Sequence, residues 1–70
     1  MGGDFLLSYN KLWKKLIDLD MKKKDLKDIT GIGSTTLTKL SKNEPVSMDV
    51  MLKICIALNC NIGDVMDVVL

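Results

Sequence analysis

Apolar side chains recur along this chain at the three-to-four-residue spacing of helices, and polar runs break the pattern into five segments. Tyr9, Leu12, Trp13, Leu16 and Leu19 predict the inner face of a first helix over residues 8–19, with Ser8 as its N-cap. Leu26 and Ile29 predict a second helix over 23–30, stopped by Gly31, where the backbone can turn left-handed. Ile32 plugs the turn. A third helix starts at Gly33 or Ser34 and ends near Ser41, with Leu37 and Leu40 buried. After the loop K-N-E-P at 42–45, Ser47 caps a fourth helix over 48–58, with Val50, Met51, Ile54 and Leu58 as its core stripe. Ile62, Val65, Met66 and Val69 share one face of a fifth helix running from residue 62 to the end. The expectation is an all-α, compact five-helix domain with short connections.

Seventy residues make one domain, and 47% hydrophobic content predicts a folded chain. Residues 1–7 read as an N-terminal extension and 8–70 as the domain. The opening Met-Gly-Gly is better explained as an expression scar or a loose start than as a myristoylation signal, because Leu6 stands where Ser or Thr is needed. No apolar run reaches the length of a membrane span, so the expected location is cytoplasmic, with no membrane partner.

Net charge is +1, but its distribution is uneven. Residues 11–42 hold nine Lys against four Asp, a net of +5, whereas 43–70 hold one Lys against four acidic residues, a net of −3. The first part suits an anionic polymer and the second suits protein contacts. Two cysteines without histidine provide neither a disulfide framework nor a zinc set, and Cys55 and Cys60 fall on different faces if helical. They read as two small apolar side chains in a reducing compartment. With no His, no Arg and no paired carboxylate cluster, nothing resembles a catalytic set, so the chain is expected not to be an enzyme. No cofactor, metal or small-molecule ligand is expected either.

The informative segment is K-K-D-L-K-D-I-T-G-I-G-S-T-T-L-T-K-L, residues 23–40. Two short helices joined by a turn containing a glycine form a helix-turn-helix. Ser34, Thr35, Thr38, Lys39 and Lys42 line one stripe of the second of these helices, opposite Leu37 and Leu40. Every charge on the stripe is positive. Hydroxyls, threonine methyls and ammonium groups can all act at base edges in a major groove. The plain alternative is a solvated face. Lys22, Lys23 and Lys24 oppose the helix macrodipole at the start of the preceding helix, so stability alone does not explain them. A DNA phosphate held by free N–H groups and these lysines would. The alternative is a solubility patch relieved by Asp25. Lys14 and Lys15 are candidates for the flanking backbone or an ordinary wet face. Asn43 is either a loop residue or a phosphate contact. Trp13 belongs with the core rather than with a base-stacking surface.

With Y-N-K-L-W-K-K-L-I at 9–17, the helix-turn-helix segment, K-N-E-P-V-S at 42–47 and L-K-I-C-I-A-L-N-C-N-I-G-D-V-M at 52–66, the chain resembles the Cro/CI-type (XRE) regulators. The likeness covers nearly the whole chain. It implies a lambda-repressor-like domain that binds operator DNA, commonly as a homodimer, with its two reading helices about 34 Å apart. It puts Ser34, Thr35, Thr38 and Lys39 at base-reading positions. The phosphate set is then Lys22, Lys23, Lys24, Lys42, Asn43 and Lys14. Lys27 stands where the family often has Ala and is expected to snorkel outward. The third helix lacks Arg, Gln and Asn, the side chains of the strongest base pairings. Modest, water-mediated or shape-driven specificity is therefore expected.

Surplus apolar residues at the C-terminal end, Val65, Val68, Val69 and Leu70, predict a dimer contact, with 5–7 as possible additions. The leading expectation is a double-stranded DNA-binding transcriptional regulator, a repressor by type. The competing one is a protein-interaction module on the same fold, antitoxin-like or an anti-regulator partner, with weak or no DNA binding.

Overall fold

The computed structural model describes residues 7–69. In chain order it has a two-residue strand β1 (Leu7–Ser8), four helices α1 (Asn10–Asp18), α2 (Lys23–Thr30), α3 (Ser34–Ser41) and α4 (Met48–Leu58), a 3-10 turn Ile62–Asp64, and a second short strand β2 (Asp67–Val68). Among the described residues the expected fifth helix does not form. Only one turn of 3-10 helix forms there, and the chain then extends to pair antiparallel with β1, Leu7 opposite Val68 and Ser8 opposite Asp67. Leu7, assigned from sequence to the extension, is thus part of the fold. Ser8 lies in β1 rather than at the N-cap, which is Tyr9, although the Ser8 hydroxyl still accepts from the Asn10 N–H at 3.2 Å.

Every helix stops at a residue in the left-handed region. Asp20, Asn43 and Asn59 have φ of 56°, 57° and 53°, and Gly31 has φ of 72°. At the three non-glycine positions the following N–H reaches back five residues: Met21 to Leu16, Glu44 to Lys39 and Cys60 to Cys55. A second bond spans three residues, Asp20 to Ile17, Asn43 to Leu40 and Asn59 to Ile56. This pair of bonds defines the Schellman motif, which satisfies otherwise orphaned carbonyls. Gly31 makes the simpler version, its N–H bonding the Lys27 carbonyl at 2.9 Å.

The core is built from Tyr9, Leu12 and Leu16 on α1 and its approach, Leu26, Ile32, Leu40, then Met51, Ile54 and Leu58 on α4, and Val65. Trp13, Leu37 and Val50 pack against it half-buried. Two expected core residues lie outside. Leu19 is 48% exposed because α1 ends at Asp18 and the chain reverses at Asp20. Ile29 is 52% exposed, since α2 is short and already seals the core through Leu26 and the following Ile32. The outer side of α4 is apolar as well, with Met48, Leu52 and Ile56 exposed at four-residue intervals. None of the described helices is long and apolar enough to cross a membrane.

Tyr9 fastens the first helix to the loop after α3. Its N–H donates to Asn43 Oδ1 at 3.1 Å and its hydroxyl to the Glu44 carbonyl at 2.8 Å. At the other edge, Lys11 donates to the Gly63 carbonyl and pairs with Asp67 at 3.0 Å, tying α1 to the C-terminal ribbon.

Candidate nucleic-acid interface

The turn between α2 and α3 follows from three residues. Gly31 adopts a backbone conformation that a β-carbon disfavours. Thr30 donates its hydroxyl to the Leu26 carbonyl at 2.6 Å, as a threonine near a helix end commonly does. Ile32, 6% exposed, drops into the core between the two helices. With Leu26 and Leu40 both fully buried, α3 is pinned by one side only.

The other side of α3 is open. Ser34, Thr35, Thr38, Lys39 and Lys42 are all exposed, in one stripe. They are not equally free. Ser34 Oγ accepts from the Lys27 ammonium at 3.3 Å, and Thr38 Oγ1 donates to the Ser34 carbonyl at 3.0 Å. Thr38 keeps its hydroxyl lone pairs and its methyl group for an outside partner. Lys27 is half-buried with its ammonium at Ser34, so its stem follows the domain surface while its charge reaches the α3 stripe.

The start of α2 carries Lys22, Lys23 and Lys24, all exposed. Asp25 Oδ2 accepts the Lys22 N–H at 2.9 Å, one half of a capping box, and offsets part of the unfavourable charge. Lys23 Nζ lies 4.4 Å from the centroid of the Trp13 ring and donates to Ser41 Oγ at 3.1 Å. It therefore links α1, α2 and the end of α3. Lys14 is exposed on α1. Among the described residues the ion pairs are Lys11–Asp67 and Lys53–Asp49, so no carboxylate of the described residues lies within ion-pair distance of the α3 lysines or of those opening α2.

Asn43 is half-buried. Its left-handed backbone closes α3, and its side-chain oxygen accepts from Tyr9, so a structural task occupies that oxygen. At the C-terminal end, Val65 is fully buried in the domain core, which removes it from any contact with a second chain. Val68 and Val69 are 67% and 48% exposed, and Leu70 lies outside the described residues.

Residues 11–70 match the model of the Cro/C1-type helix-turn-helix DNA-binding domain. The chain belongs to this family. Among solved structures it is similar to the crystal structure of the transcriptional regulator VanUg, Form II, at 54% identity and a TM-score of 0.85, covering 87% of this chain and 81% of that one. No curated protein sequence matches it significantly. Among its described residues the Cro/C1-type domain here has four helices, a 3-10 turn and a closing two-stranded ribbon.

Proposed function

We propose that this Cro/C1-type domain is a transcriptional repressor that reads double-stranded DNA by laying α3 in the major groove. The observation that carries it is the exposure of Thr35 and Lys39 on a face without acidic side chains, while the opposite face, through Leu40, is fixed in the core. Thr35, Thr38 and Lys39 are the base readers, and Ser34 contributes through the hydroxyl it shares with Lys27. Lys22, Lys24, Lys42 and Lys14 meet phosphates. Lys23 joins them by leaving the Trp13 ring or by reaching past it, and Asn43 contributes its amide N–H group. The similarity to a protein described as a transcriptional regulator supports this assignment.

The protein acts in this reading as a homodimer on a two-fold site, with the exposed Val68 and Val69 contributing to the contact. A protein-interaction role on the same fold is the second reading. It is favoured by the absence of Arg, Gln and Asn from α3 and by the exposed apolar side of α4.

Selection of bound sequences from random duplex DNA tests the proposal. A common, approximately two-fold symmetric motif is expected. Recovery of no duplex above background would leave the protein-interaction reading in its place.

A further inference from the structure

Five residues apart in a continuous helix, Cys55 and Cys60 would point in different directions. The Schellman motif at the end of α4 changes that. Asn59 turns left-handed, the Cys60 N–H bonds the Cys55 carbonyl at 3.0 Å, and the two cysteines become the pair of positions whose side chains this motif brings into contact. Both are free thiols and half-buried. They line one groove of about 310 Å³ together with two thioethers, Met48 and Met51, and with Leu52, Asn61 and Ile62. Met51 is buried in the groove wall and Met48 stands exposed at its rim.

We propose that Cys55 and Cys60 form a binding site for a soft monovalent d10 cation such as Cu(I), inside a groove whose remaining sulfur atoms come from Met48 and Met51. The donor set selects the metal. Thiolates and thioethers favour Cu(I) over the hard and borderline cations that prefer oxygen and nitrogen. Among the described residues no three His, Cys, Asp or Glu side chains come together, so a four-coordinate zinc site lacks its ligands. A cation content with two or three sulfur donors does not need them.

Binding exchanges protons for metal: each thiol loses its proton as its sulfur–metal bond forms, two protons leave per ion, and no electron is transferred. Burial, reinforced by the neighbouring Cys55 thiol, pushes the Cys60 thiol above its usual range. The charge of Lys15 acts at Cys60 in the direction that offsets a bis-thiolate complex, while that of Asp64 opposes it.

The test is an anaerobic titration of the reduced full chain with Cu(I) in competition with a chromogenic Cu(I) chelator. The expected result is one Cu(I) per chain, near-ultraviolet thiolate-to-copper absorption, and protection of both thiols from iodoacetamide. Cys55→Ser and Cys60→Ser should each lose the competition while keeping the far-ultraviolet dichroism of the parent. Excess Zn(II) should not displace the copper. Failure to compete with the chelator, retention of binding in either serine variant, or displacement by Zn(II) overturns the site. Should a variant fail to fold, alkylation of the wild-type chain decides: two thiols still reactive at one equivalent of Cu(I) overturn it equally.

Discussion

The ammonium of Lys23 sits 4.4 Å from the centroid of the Trp13 ring and donates to Ser41. A lysine at the first position of a helix is electrostatically misplaced, and here an aromatic face and a hydroxyl offset that cost. The same contact joins the three elements that hold the candidate reading helix. It predicts that Lys23→Met, which keeps the stem and removes the contact and the dipole penalty together, leaves stability within about 0.5 kcal/mol of the parent. Urea unfolding of the two proteins checks this. A midpoint raised by more than that would show that the contact does not offset the dipole cost.

Gly31 and Gly33 flank the same turn with opposite expectations. Gly31 has φ of 72°, and a β-carbon there would meet nothing within 4 Å, so the cost of Gly31→Ala is conformational and about 1 kcal/mol. Gly33 is the N-cap of α3 with an extended backbone, open space around it and no capping side chain. Gly33→Ser supplies the missing acceptor and restricts the unfolded chain, raising stability by about 0.5–1 kcal/mol. Thermal unfolding of both variants should shift in opposite directions.

Asn43 serves two structural ends, a left-handed backbone and an acceptor for Tyr9. Asn43→Gly loses only the acceptor, whereas Asn43→Ala loses it and adds backbone strain. The alanine variant should therefore be less stable than the glycine variant by about 1 kcal/mol. Equal unfolding midpoints would mean that the left-handed conformation is not maintained at this residue.

Tyr9 predicts an alkaline limb. Burial raises its phenol above the ordinary value of 10.0, with a smaller opposing effect from the Val46 backbone. The folded state then holds the proton more tightly than the unfolded chain. Stability from this source is complete below pH 10.0 and is lost as pH rises through the folded-state value. Tyr9→Phe should flatten that loss. It should also cost about 1–2 kcal/mol at neutral pH, because the Glu44 carbonyl loses its donor. Unfolding measured between pH 8 and 11 compares the two slopes.

The helix-turn-helix was legible because its signals are local. Gly31, the apolar positions Leu26, Ile32 and Leu40, and the polar stripe of α3 all lie within eighteen residues and obey one period. The misassigned end was not local. Ile62, Val65, Met66 and Val69 satisfy a helical period, yet Asp67 and Val68 between them pair with a segment about sixty residues earlier, which no periodicity reveals. The ends of α3 and α4 near Ser41 and at Leu58 were legible, but the left-handed turns that follow them were not, since Asp and Asn only sometimes turn left-handed. The unforeseen turn at Asn59 concealed the meeting of Cys55 and Cys60, just as the one at Asn43 concealed what fastens Tyr9. Val65 looked like surplus apolar surface because the fold it completes was not visible.

The central claim is that α3 and the lysines around it engage duplex DNA. Fluorescence anisotropy with a selected duplex, repeated across a salt series, tests it most directly. Affinity should fall steadily as salt rises, because phosphate contacts release counterions. Lys24→Ala should weaken binding to all sequences alike and reduce the salt slope by about one. Thr35→Ala and Lys39→Ala should cost about 1–3 kcal/mol on the preferred sequence and blur its preference. No binding at low salt, or an affinity indifferent to salt, contradicts the account.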